Sequence, residues 1–141
     1  MDDIFKYEKR YWYPHLKPND VAIWERFITT HPQAYIEVIY DLAVGTGANI
    51  AAGTEANLAA GFKTLTQRKI DAIGIAPGVL DVIELKPAAG PSAIGQVLAY
   101  VALYKRDRSP DREPRPVIIT DQLLPDMQML CEAQGVELIV V

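Results

Sequence analysis

The run Ile70–Pro87, IDAIGIAPGVLDVIELKP, constrains the fold more than any other stretch. Two apolar, β-branched segments, about Lys69 to Ala76 and Val79 to Lys86, flank Pro77-Gly78 and read as an antiparallel hairpin. Pro-Gly suits the centre of a type II turn, which twists less well into a hairpin than the primed types, so a wider loop also fits. A two-residue loop and a symmetric four-residue loop give one register, in which paired residue numbers sum to 155. Ala76 then faces Val79, Gly74 faces Asp81, and Asp71 faces Glu84. Opposed residues share a face with Cβ atoms about 5 Å apart, and period two adds Lys86 to it. Two opposed carboxylates repel unless a cation lies between them. Oxygen ligands at this spacing suit Mg²⁺ or Mn²⁺, and the amine can orient a water or meet charge developing on a phosphate. The same residues also fit a solvated sheet face with a Glu84–Lys86 or Asp71–Lys86 ion pair, and spacing alone leaves both readings open.

Elsewhere, Asn19 or Asp20 is the expected cap of a helix from Val21 to Thr30 with Val21, Trp24, Phe27 and Ile28 as its stripe. His31-Pro32 ends it. YIEVIYDLAV reads as a half-buried strand, with Ile36, Val38, Tyr40, Leu42 and Val44 on one face and Glu37 and Asp41 on the other. NLAAGFKTLT suggests a short helix. Ser92 is the expected cap of a helix from Ala93 to about Lys105. RDRSPDREPRP reads as a charged loop and VIIT as a buried strand. Leu123 to Ala133 reads as a helix closed by Gly135, and VELIVV as a last strand. The order is helix, three strands, helix, strand, helix, strand. It predicts one domain over residues 1–141, an α/β fold with a mixed central sheet flanked by helices.

An Asp ending one strand's polar face, a hairpin, and Glu84-Leu85-Lys86 on the next strand resemble the PD-(D/E)XK nuclease superfamily. The element order matches that superfamily's restriction-endonuclease-like core. Gln96 and Tyr100, four apart in GQVLAYVALY, resemble the Gln-x-x-x-Tyr signature of its RecB-like branch. Ile70 stands where the pattern has proline. The resemblance implies a metal-dependent deoxyribonuclease. Asp71, Glu84 and the carbonyl of Leu85 would hold Mg²⁺ or Mn²⁺. Lys86 would position the attacking water, Gln96 would support the site, and Glu25 is the candidate for the acid such proteins carry on the first helix. DNA would be the partner.

The formal net charge of -4 argues against a generally basic nucleic-acid coat and is unusual for a nuclease. A chain this small would need a dimer or a larger complex to grip a duplex. These features motivate a rival reading, a nuclease-fold interaction module in an assembly such as a phage particle. Half of the residues are hydrophobic, as in a globular protein. The single cysteine, Cys131, makes no internal disulfide and reads as inert core. No signal-like or membrane-spanning run is visible, which predicts a soluble, cytoplasmic protein. In YEKRYWY, Tyr7, Tyr11, Trp12 and Tyr13 suit aromatic core packing or base stacking. Arg68 and Lys69 flank the acidic residues and suit phosphate contact. GTGAN lacks the Gly-Lys-Ser/Thr of a phosphate loop, and His15 and His31 lack zinc-ligand partners.

Overall fold

A computed structural model describes residues 2–47 and 67–141. The helix expected in NLAAGFKTLT lies outside them. Among the described residues, six strands form one sheet in sequence order: β1 (Ile4–Lys6), β2 (Glu37–Val44), β3 (Arg68–Ala76), β4 (Val79–Leu85), β5 (Arg115–Thr120) and β6 (Glu137–Val140). The first four pair antiparallel, whereas β4, β5 and β6 pair parallel. Helix α1 (Pro18–Thr30) precedes β2, α2 (Pro91–Arg108) crosses from β4 to β5, and α3 (Met127–Ala133) links β5 to β6. The mixed sheet flanked by helices is the predicted α/β architecture. The three-residue edge strand β1 is an addition, too short to show a period.

Both long helices begin at proline. Pro18 and Pro91 fill first-turn positions where a missing N–H costs nothing, so Lys17 and Gly90 are the N-caps in place of the expected Asn19 or Asp20 and Ser92. Helix α3 starts four residues later than expected, after Pro125 and a left-handed Asp126 (φ 67°). Gly135 (φ 69°) follows its last turn and makes the predicted left-handed stop.

Two cores sandwich the sheet. On one face Ile23, Trp24, Phe27 and Ile28 of α1 pack against Val38, Tyr40, Ile83 and Ile119. On the other, Ile94, Val97, Tyr100 and Tyr104 of α2, with Met127 and Cys131 of α3, cover Ile39, Leu42, Ile73, Val82 and Ile118. Strand β2 departs from its expected alternation. Val38 and Tyr40 belong to the α1 core, but Leu42 and Val44 belong to the α2 core, and Ile36 is exposed. Asp41, at φ 52°, interrupts the pleat, and the residues beyond it change sides.

The hairpin register is the predicted one. Ala72 pairs with Ile83, Gly74 with Asp81 and Ala76 with Val79. Gly74 is required by a close approach, since a Cβ there would lie 2.5 Å from the Tyr35 ring. That ring crosses the strand so that its hydroxyl donates to Asp81 Oδ2 at 2.6 Å.

Candidate active site

The β3–β4 ladder ends at Ala72–Ile83, one step short of Asp71. On the other side, the β2–β3 pairing skips the Asp41–Asp71 position between Tyr40–Ala72 and Leu42–Ile70. The sheet parts on both sides of Asp71. A side chain then does the work of the backbone: the Leu85 N–H donates to Asp71 Oδ2 at 2.9 Å. A cleft of about 1170 Å³ opens at this parting.

Asp71, Glu84, Leu85 and Lys86 all line the cleft. Lys86 lies just beyond β4, where its N–H still bonds the Ile119 carbonyl. Its side chain is exposed, whereas Glu84 is only 7% exposed. Gln96 and Tyr100 project into the cleft from α2, the first exposed and the second buried. The predicted hairpin and helix residues therefore meet in one place.

Glu25 does not join them. It lies beside a neighbouring hollow, where its Oε2 accepts the Tyr13 hydroxyl at 2.9 Å. The acid that α1 supplies to the cleft is Asp20, in the first turn of the helix. Starting the helix at Pro18 rather than Val21 would have identified it. Asp41 also lines the cleft, with Oδ2 3.7 Å from His15 Nε2, while Glu37 is exposed opposite Ile75 at the far end of β2. His15, Lys17 and Lys69 add basic groups to the rim. Of these, only Lys69 carried a sequence signal. Lys17 had none beyond its place before a proline.

Burial sets the electrostatics. Glu84 is pushed up to about 8, first by desolvation, then by the nearby Asp71 and Asp20 charges, with Lys86 and Lys17 opposing. Desolvation also lifts Asp71 to about 6, against the Leu85 N–H bond, which favours the anion, and with Asp20 and Asp41 adding to the rise. Asp20 is raised by the same burial. The Tyr100 hydroxyl is held neutral by desolvation and by the two carboxylates.

Two desolvated carboxylates with raised pKa values make an environment that a cation would relieve. Among the described residues, no three His, Cys, Asp or Glu side chains gather into a complete metal cluster. The donor set is nevertheless hard oxygen of the kind Mg²⁺ takes, one or two carboxylates completed by water and substrate oxygens. The residues present fit such an ion.

The N-terminal aromatics divide. Tyr7 and Tyr13 are buried in the α1 core, where Tyr7 meets Trp24 edge-on at 5.8 Å. Tyr11 and Trp12 are exposed. The charged run after Tyr104 is largely paired, and its first part, expected as loop, is the last turn of α2: Lys105 pairs with Glu113, Arg106 with Asp107, and Arg108 with Asp2. Arg112 donates to the Ala76 and Val79 carbonyls that flank the hairpin turn. Cys131 is buried, as expected. Among the described residues no helix is long and apolar enough to cross a membrane.

No protein-family model matches this chain, and no curated protein does. Among the solved structures similar to it are the following two. One is a repair endonuclease from Pyrococcus abyssi, at 19% identity and a TM-score of 0.49, covering 95% of this chain and 49% of that one. The other is EndoMS in a complex with dsDNA, also at 19% identity and 0.49, covering 95% of this chain and 48% of that one. The chain thus spans about half the length of each.

Proposed function

We propose that the protein is a metal-dependent deoxyribonuclease of the PD-(D/E)XK type, in its RecB-like branch. One observation carries the reading: Asp71, Glu84 and Lys86, the three groups of the sequence motif, line one cleft, and the two carboxylates there are desolvated and titrate abnormally high. Gln96 and Tyr100 on the facing helix support the branch assignment.

Asp71 and Glu84, with the Leu85 carbonyl, would hold Mg²⁺ or Mn²⁺. When bound, the ion would polarise a phosphodiester oxygen and acidify a water. The chain's own groups do the rest. Lys17 and Lys69 draw the DNA backbone to the rim against a net negative protein, which makes binding salt-dependent. The Lys86 ammonium donates a hydrogen bond to the attacking water and faces the charge that builds on the phosphate. The Leu85 N–H fixes Asp71 through Oδ2, and Oδ1 takes no hydrogen bond from a described residue. Gln96 offers an amide that donates and accepts at the wall opposite the hairpin. The water oxygen bonds phosphorus as one phosphorus–oxygen ester bond breaks; the water's proton passes to solvent and the leaving alkoxide takes one from solvent, without a covalent enzyme intermediate.

Purified protein with Mg²⁺ or Mn²⁺ is expected to cleave at least one of single-stranded, duplex, flapped or branched DNA, and Glu84→Ala to cleave none. Failure of the wild type on the whole panel would reject the reading.

A further inference from the structure

Beside the cleft lies a second hollow of about 390 Å³, and His15 lines both. Arg10, Tyr11, Trp12, Tyr13 and Glu25 also line it. Trp12 is 64% exposed and Tyr11 is fully so, although aromatic rings are costly to leave in water. The other tryptophan, Trp24, is wholly buried. Arg10 is held in place rather than free in solvent. Its guanidinium sits 4.6 Å from the centroid of the Phe5 ring, and its Nε is the only buried side-chain polar atom among the described residues without a partner. Glu25 is anchored through one oxygen: Tyr13 donates its hydroxyl to Oε2 and accepts the backbone N–H of Arg10 at 2.9 Å. The second carboxylate oxygen carries no bond from a described residue.

We propose that this hollow takes an unpaired nucleobase from the strand whose phosphate lies in the cleft, and that it prefers guanine. The proposal rests on the nuclease reading for the adjoining strand. The ring stacks on Trp12, the strongest stacking side chain, and Arg10 meets the strand's negative charge. A carboxylate such as that of Glu25 accepts hydrogen bonds and donates none. Among the bases, guanine offers it two adjacent N–H donors on its Watson–Crick edge. Adenine and cytosine offer one amino group beside a ring acceptor, which a carboxylate repels. His15, at the boundary of the hollows, stands where the chain between base and scissile phosphate would cross.

Trp12 supplies the readout, because Trp24 is inaccessible to a quencher. The full-length protein in chelator is titrated with five-nucleotide single strands of thymidine carrying a central guanine, adenine or thymine, and tryptophan emission is followed. The guanine strand should quench and should bind several-fold more tightly than the others. Trp12→Ala, whose binding is read from the anisotropy of a dye-labelled strand because its emitter at the hollow is gone, should bind that strand about tenfold more weakly, the scale of one stacked base. The Trp24 emission left in that variant reports an intact fold. Glu25→Gln should retain quenching and lose the preference for guanine. Equal binding by wild type and Trp12→Ala, equal affinity for all three strands, or no binding overturns the proposal. Cleavage of long DNA with Mg²⁺ is measured in parallel. Cleavage by the wild type without base-dependent quenching rejects the hollow and leaves the nuclease standing. Quenching without cleavage of any DNA rejects the nuclease reading alone.

Discussion

Strand β4 buries two acids three residues apart, and they are treated in opposite ways. Asp81, 1% exposed, is fully partnered: Arg115 donates from Nε at 3.0 Å and from Nη2 at 2.8 Å, and Tyr35 donates at 2.6 Å. Glu84, 7% exposed, receives no hydrogen bond from a described residue and faces Asp71 as its main charged neighbour. A buried charge with its partners in place is architecture, joining β4 to β5 and to the segment before β2. A buried acid whose neighbours oppose its ionisation costs stability and marks a candidate site. Burial of an acid alone does not distinguish structure from function. The inventory of its partners does.

The comparison is broken most directly by activity. Glu84→Gln should lower DNA cleavage about a thousandfold, since several kcal/mol of charge stabilisation depend on that anion. Arg115→Met should leave the rate per folded molecule nearly unchanged. Lys86→Arg should be almost as damaging as Lys86→Ala, because a planar fork cannot place a water as a compact ammonium does. Cleavage kinetics at saturating Mg²⁺ would check all four variants, and an active Glu84→Gln would erase the distinction between the two acids.

Stability against pH is the next largest effect. Glu84 holds its proton more tightly folded than unfolded, up to about 8, and Asp71 does so up to about 6. Their contribution is therefore complete below the unfolded carboxylate range and is lost as pH rises through the folded values. Denaturant melts in chelator should show metal-free stability falling between pH 4.5 and 8, by on the order of a few kcal/mol. Glu84→Gln should flatten most of that fall. A flat wild-type profile would mean that Glu84 has a partner.

Arg115→Met sharpens the other side. It leaves Asp81 buried with only Tyr35, and the guanidinium it removes is half exposed, so the loss should be about 2 kcal/mol in urea melts. The smallest effect has the opposite sign. Asp71→Asn keeps an oxygen for the Leu85 N–H while removing one of two repelling charges, and should stabilise the metal-free fold by about 0.5 to 1 kcal/mol. Mg²⁺ or Mn²⁺ should raise the melting temperature of the wild type well above that of Asp71→Asn, because a ligand bound only to the native state stabilises it. Thermal melts of both proteins, with chelator and with metal, would show the order reverse.

The hairpin was legible because its register depends on local turn chemistry and period two alone, and that register predicted Gly74 opposite Asp81. Both long helices were legible in extent but not at their starts. Proline at the first helical position outranked the side-chain caps that Asn19, Asp20 and Ser92 offer, and that shift concealed Asp20 and favoured Glu25. The flip of β2 was illegible because Asp41 adopts a left-handed backbone that nothing nearby in sequence demands. The Asp81 network was illegible for a different reason. Its partners lie 46 and 34 residues away, and only folding brings Tyr35 and Arg115 together.

The parting of the sheet at Asp71 has a spectroscopic consequence. An ordinary strand amide bonds a carbonyl that never titrates, but the Leu85 amide bonds a carboxylate that does. Its proton resonance should move with a midpoint near pH 6, following Asp71 through a single 2.9 Å contact. Any cation that takes the other oxygen of that carboxylate should shift the same signal. One main-chain amide thereby becomes a wire from the cleft into the sheet, and the ionisation of Asp71 can be heard without touching it.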